Sequence, residues 1–247
     1  NSIGGQVGKL NFYAFYQGKR GDGWRENSGF QQHTAFGSLH WQATKSLHIS
    51  SEYTFMHYLA QQAGGLTDAM FARDPRQSIR DRNWFRVSWN LASVTAEYKF
   101  SARTKLNCMS FGLLARRDAL GYLAAINRID LGGNRDLISG SFQNFGNETR
   151  LVHRFNLRQL PATLLIGARY YRGYTTAVQG TANDGSGPSY RCLHLPALSC
   201  RRVMLQQSYV GILLRRLYPD TIVSPHRSND CPVLFYLAEH PPKAVSS

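Results

Sequence analysis

Along most of the chain, apolar and polar residues alternate singly. In residues 9–17, Leu10, Phe12, Ala14 and Tyr16 share one parity and Asn11, Tyr13 and Gln17 the other, with Phe15 out of step. From 34 to 42, Ala35, Leu39 and Trp41 oppose Thr34, Ser38, His40 and Gln42. From 47 to 59, Leu47, Ile49, Tyr53, Phe55 and Leu59 oppose His48, Ser50, Glu52 and Thr54. Successive side chains of an extended strand point to opposite faces, so a period of two predicts strands with one apolar face. The polar stretch 43–46 joins the last two strands into a hairpin.

The same signal continues with Phe85, Val87, Trp89 and Leu91, after which the apolar parity moves to Val94, Ala96, Tyr98 and Phe100. A change of parity predicts a β-bulge near Ala92–Ser93, because one extra residue re-aims every side chain beyond it. Residues 105–117 read as a strand with no clear apolar face, and 148–157 and 163–171 as two more. Short turns are expected at 43–46, 101–104 and about 157–162. Long polar or Gly-rich loops are expected at about 18–33, 60–83, 117–147 and from 172 onward. Short and long connections alternate strictly, the pattern of an antiparallel up-and-down transmembrane β-barrel with its loops at one end. Strands of about 9–14 residues suffice to cross the hydrocarbon when tilted. Such strands must belong to a larger closed barrel, because open edges are not tolerated in lipid.

Composition sharpens this all-β picture. Aromatics make up 12% and charged residues only 18%, and there are 22 glycines, a mixture that suits aromatic-rich strands. Tyr13, Trp41, Tyr53, Trp84, Trp89, Tyr98, Tyr170 and Tyr171 sit near strand ends, where interfacial girdles are found. A soluble barrel also alternates, but it has no use for polar, Arg- and His-bearing residues on the other face of so many strands. No run of about 18 apolar residues exists to form a membrane helix, and no apolar leader opens the chain, whose start reads as the interior of something longer.

The formal net charge of +14 suits nucleic acid, an anionic membrane surface or an anionic small ligand. Lys and Arg are scattered rather than gathered in one patch, which counts against nucleic acid. The histidines and cysteines show no metal-ligand spacing. Cys192 and Cys200 are placed either to close a disulfide or to remain thiols. No catalytic triad, paired-carboxylate site or nucleotide cradle is found, so neither an enzyme nor a cofactor is expected. Near residue 190 the composition changes: seven of nine prolines lie between Pro188 and Pro242, three of four cysteines lie beyond 190, and 21 of 22 glycines before it. The chain is therefore divided into a barrel portion, 1–190, and an irregular tail, 191–247, disordered or translated out of frame.

Several strings in order carry a family resemblance: QQAGGLTDAMFARDPRQSIRDRNWF, SWNLASVTAEYKFSARTKLN, FGLLARRDALG, FQNFGNETRL and IGARYYRGYT. Over about residues 5–190 the chain resembles the barrel of TonB-dependent outer-membrane receptors, and within them the ferric dicitrate receptor-like group. The resemblance implies part of a 22-stranded barrel in the Gram-negative outer membrane, plugged by a separate globular domain. It implies capture of an iron complex, ferric citrate or another siderophore, by extracellular loops, and release driven by TonB through the plug. Outer-membrane lipid and lipopolysaccharide are the surroundings it implies.

Guanidinium groups bind carboxylates bidentately and iron chelates are anionic. The candidate ligand residues are thus the loop cations Arg73, Arg76, Arg80 and Arg82, with Arg116 and Arg117 among the cations expected to line the lumen, alongside Arg86, Arg150, Arg154 and Arg169. The competing reading pairs the loop arginines with Asp68, Asp74 and Asp81 or with lipopolysaccharide. The alternatives to a receptor are a passive porin or an outer-membrane barrel enzyme and, more remotely, a basic nucleic-acid-binding protein.

Overall fold

The computed structural model describes residues 1–157 and 159–194, together with the strands at 201–216 and 234–237. It is one antiparallel sheet in which each of the first eight strands pairs with the next in sequence. These are β1 (Ser2–Val7), β2 (Leu10–Gly21), β3 (Phe30–Gln42), β4 (Leu47–Gln61), β5 (Trp84–Lys99), β6 (Thr104–Gly121), β7 (Arg135–Leu157) and β8 (Leu160–Ala182). A short β9 (Cys192–His194) and the longer β10 (Arg201–Arg216) both pair with β8, and β11 (Leu234–Leu237) pairs with β10. A single helix, α1 (Asp68–Arg73), interrupts the β4–β5 loop.

Two of the short turns share one device. In the turn after β3, Thr44 Oγ1 accepts the backbone N–H groups of Ser46 and Leu47 at 3.2 and 3.0 Å. In the turn after β5, Ser101 Oγ accepts those of Arg103 and Thr104 at 3.2 and 3.1 Å. A hydroxyl at the second turn position thus replaces ladder acceptors that the reversal removes. Among the described residues, the long loops 22–29, 62–83, 122–134 and 183–191 fall at the opposite end of the sheet.

Three expectations are corrected. First, β1 is an additional strand, paired with β2 across a reversal at Gly8, whose φ is +58°; its two glycines blur the alternation that would reveal it. Second, the loops expected at 117–147 and from 172 are much shorter, 122–134 and 183–191, because β6, β7 and β8 run farther, to 23 residues each for β7 and β8. Segments such as SGSFQNFG and RGYTTAVQG look like loop because Gly, Ser, Asn and Thr fill both parities. Third, no bulge exists near Ala92–Ser93: the β4–β5 register runs unbroken from Leu47↔Tyr98 to Gln61↔Trp84. Past residue 190, where an irregular tail is expected, β10 continues the sheet along Ala162–Ala177 of β8, whose ladder groups need a partner. The expectation of a disordered or out-of-frame chain over 195–200, 217–233 and 238–247, and the Cys192–Cys200 alternative, which turns on Cys200, fall on residues outside those described.

What takes the place of the bulge is an inversion of amphipathicity along the strands. One face, here the belt face, carries Leu10, Phe12 and Ala14 of β2, Leu39 and Trp41 of β3, Leu47 to Phe55 of β4 and Ala92 to Tyr98 of β5. On β6, β7 and β8 it continues with Leu106 to Gly112, Phe145 to Phe155 and Ala162 to Tyr170. Counting alternate residues within these limits, no Lys, Arg, Asp or Glu stands on the belt face. The other face at this end is ionic: Glu148 lies against Arg150 and within 3.8 Å of Arg169, and Glu97 within 3.9 Å of both Lys99 and Lys105.

Nearer the long loops the two faces exchange character. The belt face turns polar, with Arg20, His33, His57, Arg86, Arg116 and Arg172, and its single acid, Asp118, is buried. The opposite face turns apolar, with Phe15 stacked on Phe36 at 5.6 Å, Phe111 beside Tyr171 at 6.4 Å, and Met56, Trp89, Leu91 and Leu113 between. Phe15, the residue out of step in β2, is where this exchange begins, and the ambiguous period of 105–117 is both patterns overlapping.

Candidate functional site

The four long loops, 22–29, 62–83, 122–134 and 183–191, gather at one end and are tied together by arginines. Within 62–83, Gly64 adopts φ +77°, where an added Cβ would stand 2.8 Å from Ile79 and 2.9 Å from Arg80, so the turn there requires glycine. Thr67 caps α1, its Oγ1 accepting the Met70 N–H at 3.3 Å, with Asp68 in the first turn and Arg73 in the last, as the helix dipole favours. Asp74 Oδ1 then accepts the Arg76 N–H at 2.9 Å and reverses the chain.

Arg80 and Arg82 enter the interior. Arg80 is 4% exposed. Its guanidinium donates to the carbonyls of Tyr122, Ala124, Ala125 and Arg128 in the next long loop, and lies over the Tyr122 ring at 4.9 Å. Arg82 makes a bidentate pair with Asp130, 2.7 and 2.6 Å, and adds bonds to Gly133 O and Asp184 Oδ1 at 2.7 and 2.8 Å. The Arg82 hydrogen bonds hold the Asp130 carboxyl below the usual carboxylate range against the opposing effect of burial, and Asp130 in turn raises Arg82.

Two arginines not singled out above do the same work. Arg25 donates to Gln77 O and Gly64 O, each at 2.7 Å, and so joins 22–29 to 62–83. Arg135, only 1% exposed, donates to Asn183 O, Gly187 O and Ser189 O at 3.0, 2.6 and 3.0 Å. Carbonyl dipoles thus replace its hydration, and burial lowers its pKa from the ordinary arginine value. Arg86 and Trp84 reach the same loop through Pro188 O and Ser186 O. Gly121, at φ +141°, lets Asn83 close against it and exchange two hydrogen bonds with Tyr122. Arginine in a Gly- and Asn-rich loop was the available signal for Arg25 and Arg135, but their acceptors are main-chain atoms that sequence does not reveal.

The six predicted ligand residues therefore separate. Arg80 and Arg82 are buried; Arg82 pairs with Asp130 and Asp184 rather than with Asp68, Asp74 or Asp81, and Arg80 is held by carbonyls. Arg73 and Arg76 are exposed on the outer surface of 62–83, with Arg73 donating to Gln77 Oε1 at 3.2 Å. Arg116 and Arg117 occupy opposite faces, as neighbours in a strand must. Arg116 stands on the belt face with Asp118 at 3.1 Å and the Tyr190 hydroxyl at 3.0 Å, and only Arg117 shares the other face with Arg150, Arg154 and Arg169. Arg86, too, is on the belt face.

Between 62–83 and 122–134 lies a cleft of about 360 Å³, floored by Arg80 and Asp130 and walled by Met70, Ile79, Ile126 and Ile129. Its rim is apolar and wet: Ile129 is 78% exposed, and nearby Phe71 59%. Among the described residues no group of three or more His, Cys, Asp or Glu is placed to hold a metal ion.

No known sequence family and no curated protein matches the chain. Solved structures do match in fold. The ferric citrate transporter FecA in its unliganded form superposes with a TM-score of 0.68 at 19% identity, over 86% of this chain and 31% of its own. BauA, the ferric preacinetobactin receptor from Acinetobacter baumannii, gives 0.65 at 12%, over 87% and 36%. The RagAB peptide transporter gives 0.57 at 9%, over 86% and 29%. The chain thus spans about a third of the length of these structures, and at such identities the likeness is one of fold: the all-β, antiparallel up-and-down sheet matches a portion of each of them.

Proposed function

We propose that the chain is part of the barrel of a TonB-dependent outer-membrane receptor that takes up an anionic iron chelate. The observation carrying this reading is the inversion between the two faces. The belt on β4, Leu47 to Phe55, covers nine residues, which is about 30 Å of strand and, at a tilt near 40°, about 23 Å of height, matching the lipid-facing apolar band of outer-membrane barrels. A surface without Lys, Arg, Asp or Glu over that height is suited to hydrocarbon. The long-loop end then lies outside the cell.

The apolar band on the opposite, luminal face favours a receptor over a passive porin. Water fills a porin lumen and leaves no reason to line it with Phe15, Phe36, Trp89, Leu91, Phe111 and Leu113. These side chains call for a dry partner inside the barrel, which a plug supplies, and TonB would act through that plug. Exposed Arg73, Arg76 and Arg117 supply the positive field for an anionic chelate, ferric citrate being the candidate that the sequence resemblance suggests. Arg80 and Arg82 act in this reading by fixing the loops that present them.

The test is iron uptake by cells expressing the complete barrel in which this chain resides. Reversing both exposed loop cations, Arg73→Glu with Arg76→Glu, is expected to lower uptake of radiolabelled ferric citrate about tenfold while leaving the protein in the outer membrane. Unchanged uptake would remove these cations from the ligand path. Free, energy-independent permeation through the purified barrel would support a porin instead.

A further inference from the structure

Midway along the sheet, where the belt gives way to the polar region, the belt face is hollowed by a groove of about 680 Å³. Its floor is Gly112 and Ala92, side by side in β5 and β6, and its walls are Tyr53 and Phe145, the residues that flank this pair in the same row of the sheet. The next residue in that row is Arg172 of β8, which lines the groove with Tyr174. Tyr53 is fixed by donating its hydroxyl to Asn90 Oδ1 at 2.7 Å. The groove thus has an apolar bed on the belt side and amide, phenol and guanidinium groups on the loop side.

Charge around it is one-sided. Going from the belt toward the loops on this face, the charged and imidazole side chains met are Arg20, Arg86, Arg116 and Arg172, with His33 and His57, and at the loop end the buried Arg135. The one carboxylate, Asp118, is 3% exposed and is engaged by Arg116 and by the Ser139 hydroxyl at 2.6 Å. A neutral or zwitterionic amphiphile has no use for such a row, whereas a phosphorylated one matches it.

Resting on the membrane reading above, we propose that this groove is a specific site for an anionic, phosphate-bearing lipid of the outer leaflet. One acyl chain lies over Gly112 and Ala92 between Tyr53 and Phe145, and the phosphate meets Arg172. Gly112 keeps the bed open: an added Cβ meets nothing nearer than Asn144 O at 3.6 Å, so a larger side chain there fills the groove without straining the strand. The site faces lipid rather than the lumen, and is distinct from the cations proposed to meet the iron chelate.

The experiment measures organic phosphate and intact lipid, by phosphorus assay and native mass spectrometry, on the complete barrel purified in detergent from outer membranes. Wild-type protein is expected to retain phosphorylated lipid through delipidating washes. Gly112→Leu and Arg172→Glu are each expected to lower the retained lipid about tenfold, with Arg172→Lys restoring most of it. Ala96→Leu, on the belt but away from the groove, is expected to leave it unchanged. Heat-modifiable migration identifies the variants that have folded as barrels. If folded Gly112→Leu and Arg172→Glu barrels retain as much lipid as wild type, the site is refuted while the receptor reading stands. If the wild-type protein is not recovered from the outer membrane, both fail together.

Discussion

The two ends of this sheet are built from the same strands yet obey opposite rules. At the short-turn end the belt face is apolar and the other face carries Glu52, Glu97, Lys105, Glu148, Arg150 and Arg169. At the long-loop end the belt face carries arginines and histidines, and the other face carries phenylalanine, tryptophan and leucine. A strand alternates regardless of what surrounds it, so the reversal records a change of surroundings along its length. With 23 residues, β7 is about 75 Å long, far more than the roughly 30 Å of hydrocarbon it would cross. The excess stands in a different solvent on one side and against a different neighbour on the other. The loop end adds a second contrast. Its interior is held by buried arginines on carbonyls and carboxylates, and its described apolar core is small, essentially Leu120, Leu137 and Ala182 with Trp84 and Tyr190 packed around them.

The contrast between faces breaks most sharply at Val94, which is 51% exposed on the belt. Val94→Arg is expected to destabilise the barrel in a bilayer by about 2–4 kcal/mol, the cost of a lipid-facing arginine near mid-membrane. Thr95→Arg, one residue on and on the ionic face, is expected to change it by less than about 1 kcal/mol. Denaturant titration of refolded complete barrels in vesicles reads both. Equal effects would mean the faces are wrongly assigned.

The loop end is tested next by Arg82→Met, which leaves the Asp130 carboxylate, 7% exposed, without its bidentate partner. A loss of about 2 kcal/mol in the free energy of opening is expected, seen as faster hydrogen exchange in both 122–134 and 183–191. An effect confined to 62–83 would contradict the cross-linking. Gly64→Ala, forced to φ +77° against Ile79 and Arg80, is expected to cost about 1 kcal/mol and to loosen 62–83 first.

The smallest effect expected is that of pH. Because Arg82 depresses the Asp130 pKa in the folded loop end, the loop end is stabilised wherever the free carboxyl is ionised, above about pH 4. That stabilisation is lost only as pH falls through the lowered folded value. Loop exchange corrected for intrinsic rates is therefore expected to stay flat from neutral pH to about 5 and to rise only in stronger acid. A transition near pH 6 would assign the switch to histidine instead.

Much of this was legible in the alternation. The β3–β4 hairpin and its turn at 43–46 fall where the pattern places them, and the loop expected at 60–83 is observed at 62–83. The pattern misled where two environments meet in one strand. A parity change at Ala92–Ser93 is locally identical to a bulge, and only the unbroken cross-strand register distinguishes them. It failed again where β7 and β8 pass beyond the belt, since neither of their faces there needs to be uniformly apolar.

By itself, the sequence determined that the chain is a meander of antiparallel strands with short turns at one end and long loops at the other, because a period of two and turn chemistry are local properties. It also determined that the loops are rich in arginine. Which arginines face solvent was decided by tertiary structure alone. Arg82 meets Asp130 across 48 residues and Asp184 across 102, and Arg80 spends its donors on carbonyls 42 to 48 residues away. A guanidinium is equally suited to a chelate, a carboxylate or a row of carbonyls, and the folded backbone selects among them by what it brings within hydrogen-bonding distance.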